Sequence, residues 1–254
     1  MKGPGEKTLE PETIWVPYAV DEGDLPSIRL PAGCNYVKIG NPAAAPLDAR
    51  ALRDRIAALP NIESVRRVQI EWNSHLTDVS VISAFPKLEA LFVYGFRIET
   101  LRGVESFRGK FLKIDTGKNK KRNLDLLTEA HVDRQLILTY AKAADIDPPK
   151  AFDWSTLAAL SGLKGFSLMG KITAPFRLSS LPPMPKLESM ALWVNRVDEQ
   201  DAPHLTSAMP RLQSLKLPAG ASSIARAWSG RNPELLVSAG DLNFRAGQRM
   251  TAGS

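Results

Sequence analysis

A phrase that recurs with variation constrains the fold of this chain more than any other feature. Its clearest copy is PKLESMALWVNRV, residues 185–197, with these apolar and amide positions: Leu187, Met190, Leu192, Asn195 and Val197. Met190 and Leu192 alternate as two strand residues do when both face the same side. The amide of Asn195 can bond the backbone of a neighbouring turn of chain. One copy has little weight, but a series of copies is hard to obtain by chance.

The phrase returns at a nearly constant interval. Val65 and Leu88 are 23 positions apart, Leu163 and Leu187 are 24 apart, and Leu187 and Leu212 are 25 apart. Three copies begin alike, with PKL at 86–88, PKL at 185–187 and PRL at 210–212. The spacing L-x-x-L-x-L-x-x-N-x-L, with a period of about 20–29 residues, resembles the leucine-rich repeat. The irregular copies and the short length resemble bacterial leucine-rich-repeat proteins more than extracellular receptors.

The resemblance implies an α/β fold, a leucine-rich-repeat solenoid. Such a solenoid has a curved parallel sheet on its concave face and helices and irregular turns on its convex face. The resemblance covers residues 34–242 in eight or nine coils, with an irregular region at 108–160. Residues 1–33 predict an N-terminal cap, because the open end of a repeat core must be covered. Residues 243–254 predict a polar C-terminal tail.

The spacing also predicts which side chains face the core of each coil. The predicted strand positions are Val37 and Ile39, Val68 and Ile70, Leu91 and Val93, Leu112 and Ile114, Leu136 and Leu138, Phe166 and Leu168, Met190 and Leu192, Leu215 and Leu217, and Leu235 and Val237. Leu52, Ile56 and Leu59 stand at i, i+4 and i+7, which predicts one face of a helix between the first two strands.

Composition and charge limit the class of protein. No run of about 18 apolar residues occurs, so we expect no transmembrane helix and no membrane partner. The N-terminus is too polar for a signal peptide. A single cysteine, Cys34, excludes an internal disulfide and suits a reducing cytoplasm. The net charge of +6 mildly favours an acidic partner without requiring nucleic acid.

The sequence offers little support for catalysis or metal binding. His75, His131 and His204 fall in different coils, and no pair has the spacing of metal ligands. GFSLMG at 165–170 has the wrong spacing for a nucleophile elbow and predicts a strand. We therefore expect no metal, no cofactor and no enzymatic activity.

The residues between the inward positions are the candidates for partner binding. The resemblance implies that they line the concave surface, and the selected set is Tyr36, Arg67, Glu71, Phe92, Tyr94, Phe111, Lys113, Met169, Trp193 and Lys216. Aromatic side chains gathered on one exposed surface often mark a binding site. Tyr, Trp and Arg also dominate the energy of many interfaces. The alternative is that some rings, Phe92 above all, pack under the N-terminal cap or an insertion.

Together these features predict a protein that binds a protein partner through its concave face and is monomeric without that partner. The specific hypothesis is a cytoplasmic bacterial immunity protein that occludes a toxin. One alternative is the substrate-recognition part of a secreted effector. Another is nucleic-acid binding through the basic segment 110–122, where Lys118, Lys120, Lys121 and Arg122 gather.

Overall fold

One sheet holds every strand of the described residues, and its strands lie side by side in chain order. The strands are β1 (Tyr18–Asp21), β2 (Tyr36–Gly40), β3 (Arg67–Ile70), β4 (Ala90–Val93), β5 (Arg108–Gly117), β6 (His131–Tyr140), β7 (Gly165–Gly170), β8 (Ser189–Val194), β9 (Ser214–Leu217), β10 (Leu236–Ala239), β11 (Leu242–Arg245) and β12 (Gln248–Arg249). The structure is a computed structural model. It describes residues 18–21, 30, 33–40, 53–54, 56–72, 74, 76–94, 98–117, 125–140, 154–170, 176–194, 197–198, 200 and 202–250.

From β1 to β10, each strand pairs in parallel with the next one along the chain. A parallel neighbour requires the chain to return before each new strand, so every strand belongs to one coil. Residues that precede the strands continue the same ladder. The Glu89 amide, for example, donates to the Arg66 carbonyl at 2.7 Å, and the Glu188 amide donates to the Lys164 carbonyl at 2.8 Å. This regular stacking, with the repeat spacing, is a leucine-rich-repeat solenoid, as the sequence predicts.

Two rows of apolar side chains run through the coils on the core side of the sheet. The first row is Val37, Val68, Leu91, Leu112, Leu136, Phe166, Met190, Leu215 and Val237, and the second is Ile39, Ile70, Val93, Ile114, Leu138, Leu168, Leu192, Leu217 and Ala239. None of these side chains is more than 2% exposed. The predicted inward residues of β2 to β9 are thus confirmed one by one. In the last coil Leu235 is buried just before β10, and Val237 and Ala239 complete the rows.

The shared PKL and PRL starts form the same turn in three coils. The amide of Leu88 donates to the Phe85 carbonyl at 3.3 Å. The equivalent bonds are Leu187 to Met184 at 3.1 Å and Leu212 to Met209 at 3.0 Å. Proline is the second residue of each turn, where its fixed φ suits a β-turn. The proline therefore sets the point at which the chain re-enters the sheet.

The return side of the solenoid consists mainly of short 3-10 helices. They are Ile62–Ser64, Ser80–Ala84, Val104–Ser106, Asp125–Glu129, Trp154–Leu160, Leu178–Ser180 and Ala219–Ala221. Two α-helices follow late in the chain, α1 (Ala202–Ala208) and α2 (Ser222–Arg231). In the helix predicted after β2, residues 53–54 and 56–57 are helical and both Ile56 and Leu59 are buried, while Leu52 lies outside the described residues.

The two ends of the sheet differ from the sequence expectation. Strand β1 lies within the predicted N-terminal cap and extends the parallel sheet by one strand. Most of 1–33 lies outside the described residues, so the cap stays a prediction. Part of the predicted tail instead forms β11 and β12, which pair antiparallel with β10 and with each other. Ala246 and Gly247 both have positive φ and make the tight turn between them, and Phe244 is buried.

The predicted irregular region contains the two longest strands. β5 and β6 pair in parallel over most of their length, with register shifts between Gly109 and Phe111 and between Asp115 and Gly117. The basic residues at 118–122 and the segment AKAADIDPPKAF at 141–152, whose sequence predicts an insertion, lie outside the described residues.

Gly103 lies where the return sides of two coils approach closely. A Cβ atom there would lie 2.3 Å from Ser80 Cα, and φ is +103°. We expect Gly103→Ala to lower the free energy of unfolding by more than about 2 kcal/mol, because both the contact and the backbone conformation oppose a side chain. Gly220→Ala is the control, since nothing lies within 4 Å of its Cβ position. Equal urea midpoints for the two variants would contradict this packing.

Candidate binding surface

The side chains between the inward rows lie on the opposite side of the sheet, which we call the open sheet face. Its first row runs from Tyr36 through Arg67, Ala90 and Phe111 to Gln135. Another row of outward side chains lies at the carboxyl ends of the strands. The amides of Glu71 and Tyr94 continue the ladder by donating to Ile39 and Ile70 at 2.7 and 2.9 Å. Every predicted binding residue is described, and the register brings these residues onto one face.

An aromatic cluster around Arg67 occupies the open sheet face of β2 to β5. The Arg67 guanidinium carbon lies 3.9 Å from the ring centre of Phe92 and 4.6 Å from that of Tyr36. The Phe92 ring centre is 5.0 Å from Phe111 and 6.4 Å from Tyr94. A guanidinium between two aromatic faces is attracted by both rings. The cluster, defined as Tyr36, Arg67, Phe92, Tyr94 and Phe111, is therefore held together by its own members.

Burial divides this cluster into supporting and accessible residues. Tyr36 is 6% exposed and Phe92 is 8% exposed. The neighbouring large side chains pack against both rings and leave little of them accessible, so their role as partner contacts stays a prediction. Phe92 contacts Arg67, Tyr94 and Phe111. Arg67, Tyr94 and Phe111 are half-buried and retain accessible surface.

A hydrogen-bond chain fixes the polar side of the cluster. The Tyr36 hydroxyl donates to Gln69 Oε1 at 2.5 Å, and Gln69 Nε2 donates to Glu71 Oε1 at 2.7 Å. Lys38 Nζ lies 3.8 Å from the same Glu71 oxygen. Glu71, a predicted contact, is thus already engaged by two described side chains.

Burial also shifts the pKa values of two members of the cluster, Tyr36 and Arg67. It raises the pKa of Tyr36, an effect that the Arg67 charge opposes and the Glu71 charge reinforces. It lowers the pKa of Arg67, while the neighbouring tyrosines raise it. Desolvation disfavours the charged form in each case.

The exposed part of the open sheet face lies on β7 to β9. Met169 and Trp193 are register partners on neighbouring strands, and they are 37% and 42% exposed. Lys216 on β9 is exposed. The other outward side chains of the same rows on β7 to β9 are small, namely Gly165, Ser167, Ser189, Ala191 and Ser214, while β6 carries Gln135 and Ile137 between them and the aromatic cluster. The outward side chains are therefore large on β2 to β5 and mostly small on β7 to β9, where Met169, Trp193 and Lys216 are the large exposed ones.

Trp72 is an exposed aromatic residue outside the predicted set. It is 60% exposed and follows Glu71 directly after β3. The prediction covered the outward positions of the repeat spacing, and Trp72 falls just beyond that pattern. Its residue type was the only sequence signal that could have identified it.

Other sequence candidates find no support on this face. Lys110 pairs with Glu89 at 2.9 Å, and the basic residues at 118–122 lie outside the described residues. The described residues contain no group of three or more His, Cys, Asp or Glu that could hold a metal ion. Within the same residues, no helix is both long and apolar enough to cross a membrane.

Comparisons with known proteins concern the fold alone. No protein-family model matches the chain, and no curated protein matches it. A similar solved structure is an internalin (inlF) from Listeria monocytogenes, with 16% identity, a TM-score of 0.48, and coverage of 81% of this chain and 52% of that one. A Bacteroides fragilis protein is also 16% identical, with a TM-score of 0.43 and coverage of 77% and 60%. TLR13 in the TLR13–ssRNA13 complex is 15% identical, with a TM-score of 0.41 and coverage of 80% and 36%.

This chain spans about half the length of the first two of these structures, and about a third of TLR13. Its own register and burial are what define its leucine-rich-repeat fold.

The pH dependence of stability tests the environment of Tyr36. Its folded-state pKa lies above the ordinary 10.0, so its protonated phenol contributes stability that is present below pH 10.0 and lost as the pH rises through the folded pKa. At neutral pH we expect Tyr36→Phe to lower the free energy of unfolding by about 1 kcal/mol through the lost hydrogen bond. Urea unfolding should show this difference narrowing above pH 10.0. A difference that stays constant there would contradict the assignment.

Proposed function

We propose that this protein is a non-enzymatic leucine-rich-repeat module that binds a protein partner through its open sheet face, with Met169 and Trp193 as the main apolar contacts. The observation that carries the proposal is their exposure side by side on a face with no described layer packed over them. The apolar strand residues on the core side are, by contrast, fully buried. Two large apolar side chains in register, next to the exposed Lys216, have the composition of an interface centre with a polar rim.

The rigidity of the surface supports binding by a preformed site. The backbone at Met169 is paired with Thr139 on one side and with Trp193 on the other, and β8 is itself paired with β9 up to Ala191. The neighbouring aromatic cluster is fixed by its own contacts and by the hydrogen bonds of Gln69. A surface that is ordered before binding loses little conformational entropy when the partner arrives.

Within this role we propose the specific function of a cytoplasmic bacterial immunity protein that occludes a toxin. Occlusion requires a rigid surface that covers the partner and needs no chemistry of its own. The excess of positive charge, +6 overall, favours a toxin with an acidic surface. Lys216 is exposed and Lys113 is half-buried, and no described carboxylate forms an ion pair with either.

The double variant Met169→Ala with Trp193→Ala tests the binding surface. The partner would be captured from an extract of the source organism on the immobilised protein, identified by mass spectrometry, purified and titrated by calorimetry. We expect the double variant to weaken binding by at least about 30-fold, since a tryptophan at an interface centre is worth about 2 kcal/mol or more. Trp72→Ala, which removes a more exposed indole five strands away, should leave the affinity unchanged.

The same titration separates the general proposal from the specific one. If the double variant binds as wild type does while its circular dichroism is unchanged, the proposed surface is wrong. If wild type binds the partner but a stoichiometric amount leaves the partner's toxicity intact, the immunity role fails and the binding role stands.

A further inference from the structure

We infer that the partner seats an amphipathic helix across β5 to β9, with acidic side chains near both of its ends. This inference depends on the proposed function, because it names the part of the partner that the open sheet face receives. The inference depends on three observations. They are a row of register partners that carries a lysine at each end, an area of small outward side chains that we call the floor, and the hydrogen bonding of the sheet.

One register row from β5 to β9 carries a lysine at each end and no charge between them. Lys113 on β5 opposes Ile137, which is followed in register by Ser167, Ala191 and Lys216. Four steps between parallel strands separate the two lysines, a distance of about 19 Å at about 4.8 Å for each step. Neither lysine is paired with a described carboxylate, in contrast to Lys38, which lies 3.8 Å from Glu71. Two cations at this separation match two anions on one elongated element.

The floor between the lysines admits a wide element. Ser167 and Ala191 occupy this row, and Gly165 and Ser189 occupy the row beside it. These side chains rise little above the sheet, whereas the aromatic cluster on one side and Trp193 on the other are large. Rows two residues apart on a strand are about 6.6 Å apart. The area of small side chains thus covers two rows on β7 and β8, with Ile137 on β6 and Lys216 on β9 at its two sides, and one side of a helix can lie over it.

The hydrogen bonding of the sheet favours a helix over an extended segment. In the row from Lys113 to Lys216, the backbones of Ile137, Ser167 and Ala191 pair with strands on both sides, so the sheet has no open edge there for an incoming strand. An extended segment lying on this face would leave its own amides and carbonyls unpaired as it became buried, at a cost of about 1–3 kcal/mol for each group. A helix satisfies its backbone internally and presents only side chains.

The geometry predicts the sequence pattern of that helix. At a rise of about 1.5 Å per residue, three or four turns span roughly 16 to 21 Å, which brackets the separation of the lysines. Acidic residues on one side of the helix are therefore expected about 11 or 14 positions apart. Apolar residues between them would contact Ile137, Met169 and Trp193, which lie along or beside the row.

A peptide selection tests this pattern while the partner is still unidentified. The probes are two phage-displayed libraries of 20-residue peptides, one on a helical alanine-rich frame and one fully random. Selection on the wild-type protein should enrich helical peptides with Asp or Glu 11 or 14 positions apart and apolar residues between them. Selection on Lys113→Glu with Lys216→Glu should enrich Lys or Arg at the same separation. The inference would be overturned if the enriched peptides carried acidic pairs without a preferred separation. It would also be overturned if the peptides enriched from the random library had no helical periodicity.

A second pair of variants locates the bound peptide. Ala191→Trp fills the floor with an outward side chain and should weaken the selected peptide at least tenfold in fluorescence anisotropy. Ser223→Trp, on the exposed side of α2, should leave it unchanged. Equal effects of the two variants would overturn the inference. If the selected pattern is absent while the natural partner still depends on Met169 and Trp193, the helix is wrong and the proposed function stands. If neither ligand depends on those two residues, both fail.

Discussion

The hydrogen-bonded register between parallel strands of successive coils is the interaction on which the rest of the structure depends. A single coil has no core, because its two inward strand residues face only its own return segment. Stacked in register, the same residues form two continuous buried rows. The register also decides which outward side chains become neighbours. Arg67 and Phe92 are distant in sequence, yet the pairing of β3 with β4 brings the guanidinium to 3.9 Å from the ring.

The effect of the sheet's polar contacts on stability depends on how far each contact is buried. At the amino ends of the strands, the Glu89 carboxylate forms ion pairs with Lys110 at 2.9 Å and with Arg66 at 4.0 Å. Both pairs are largely exposed, and such pairs add little to stability. Arg67 is different, because its partial burial disfavours the charged form and lowers its pKa. The faces of Tyr36 and Phe92 offset part of that cost. The shape of the aromatic cluster therefore depends on contacts among several of its residues.

The inward residues of β2 to β9 could be predicted from the sequence because their signal is local. Alternation and a period near 24 identify Leu168 or Leu192 whatever the neighbouring coils contain. The hairpin of β11 and β12 escaped prediction for an equally local reason. Its turn contains Ala246 and Gly247, and only Gly247 belongs to the residue types that usually mark such a turn.

The candidate site was harder to predict because outward exposure depends on what lies across the strand. Phe92 and Trp193 both occupy outward positions, but Phe92 is enclosed by Arg67 and Phe111, whereas Trp193 has Met169 across from it and the small Ala191 on its own strand and remains 42% exposed. Sequence spacing placed both on the correct face and could not tell them apart.

The uneven size of the outward side chains has a consequence for recognition. A uniformly flat sheet face would accept many partners at many positions, since no step would fix their placement. Here the aromatic cluster ends at β5, the floor begins at β7, and Met169 and Trp193 bound it along the carboxyl ends of the strands. A partner element that shifts toward either boundary meets a large side chain. A shift by one strand would also move its acidic side chains away from Lys113 and Lys216. Specificity then follows from the sequence of outward side chains along one row, while affinity follows from the few large ones beside it.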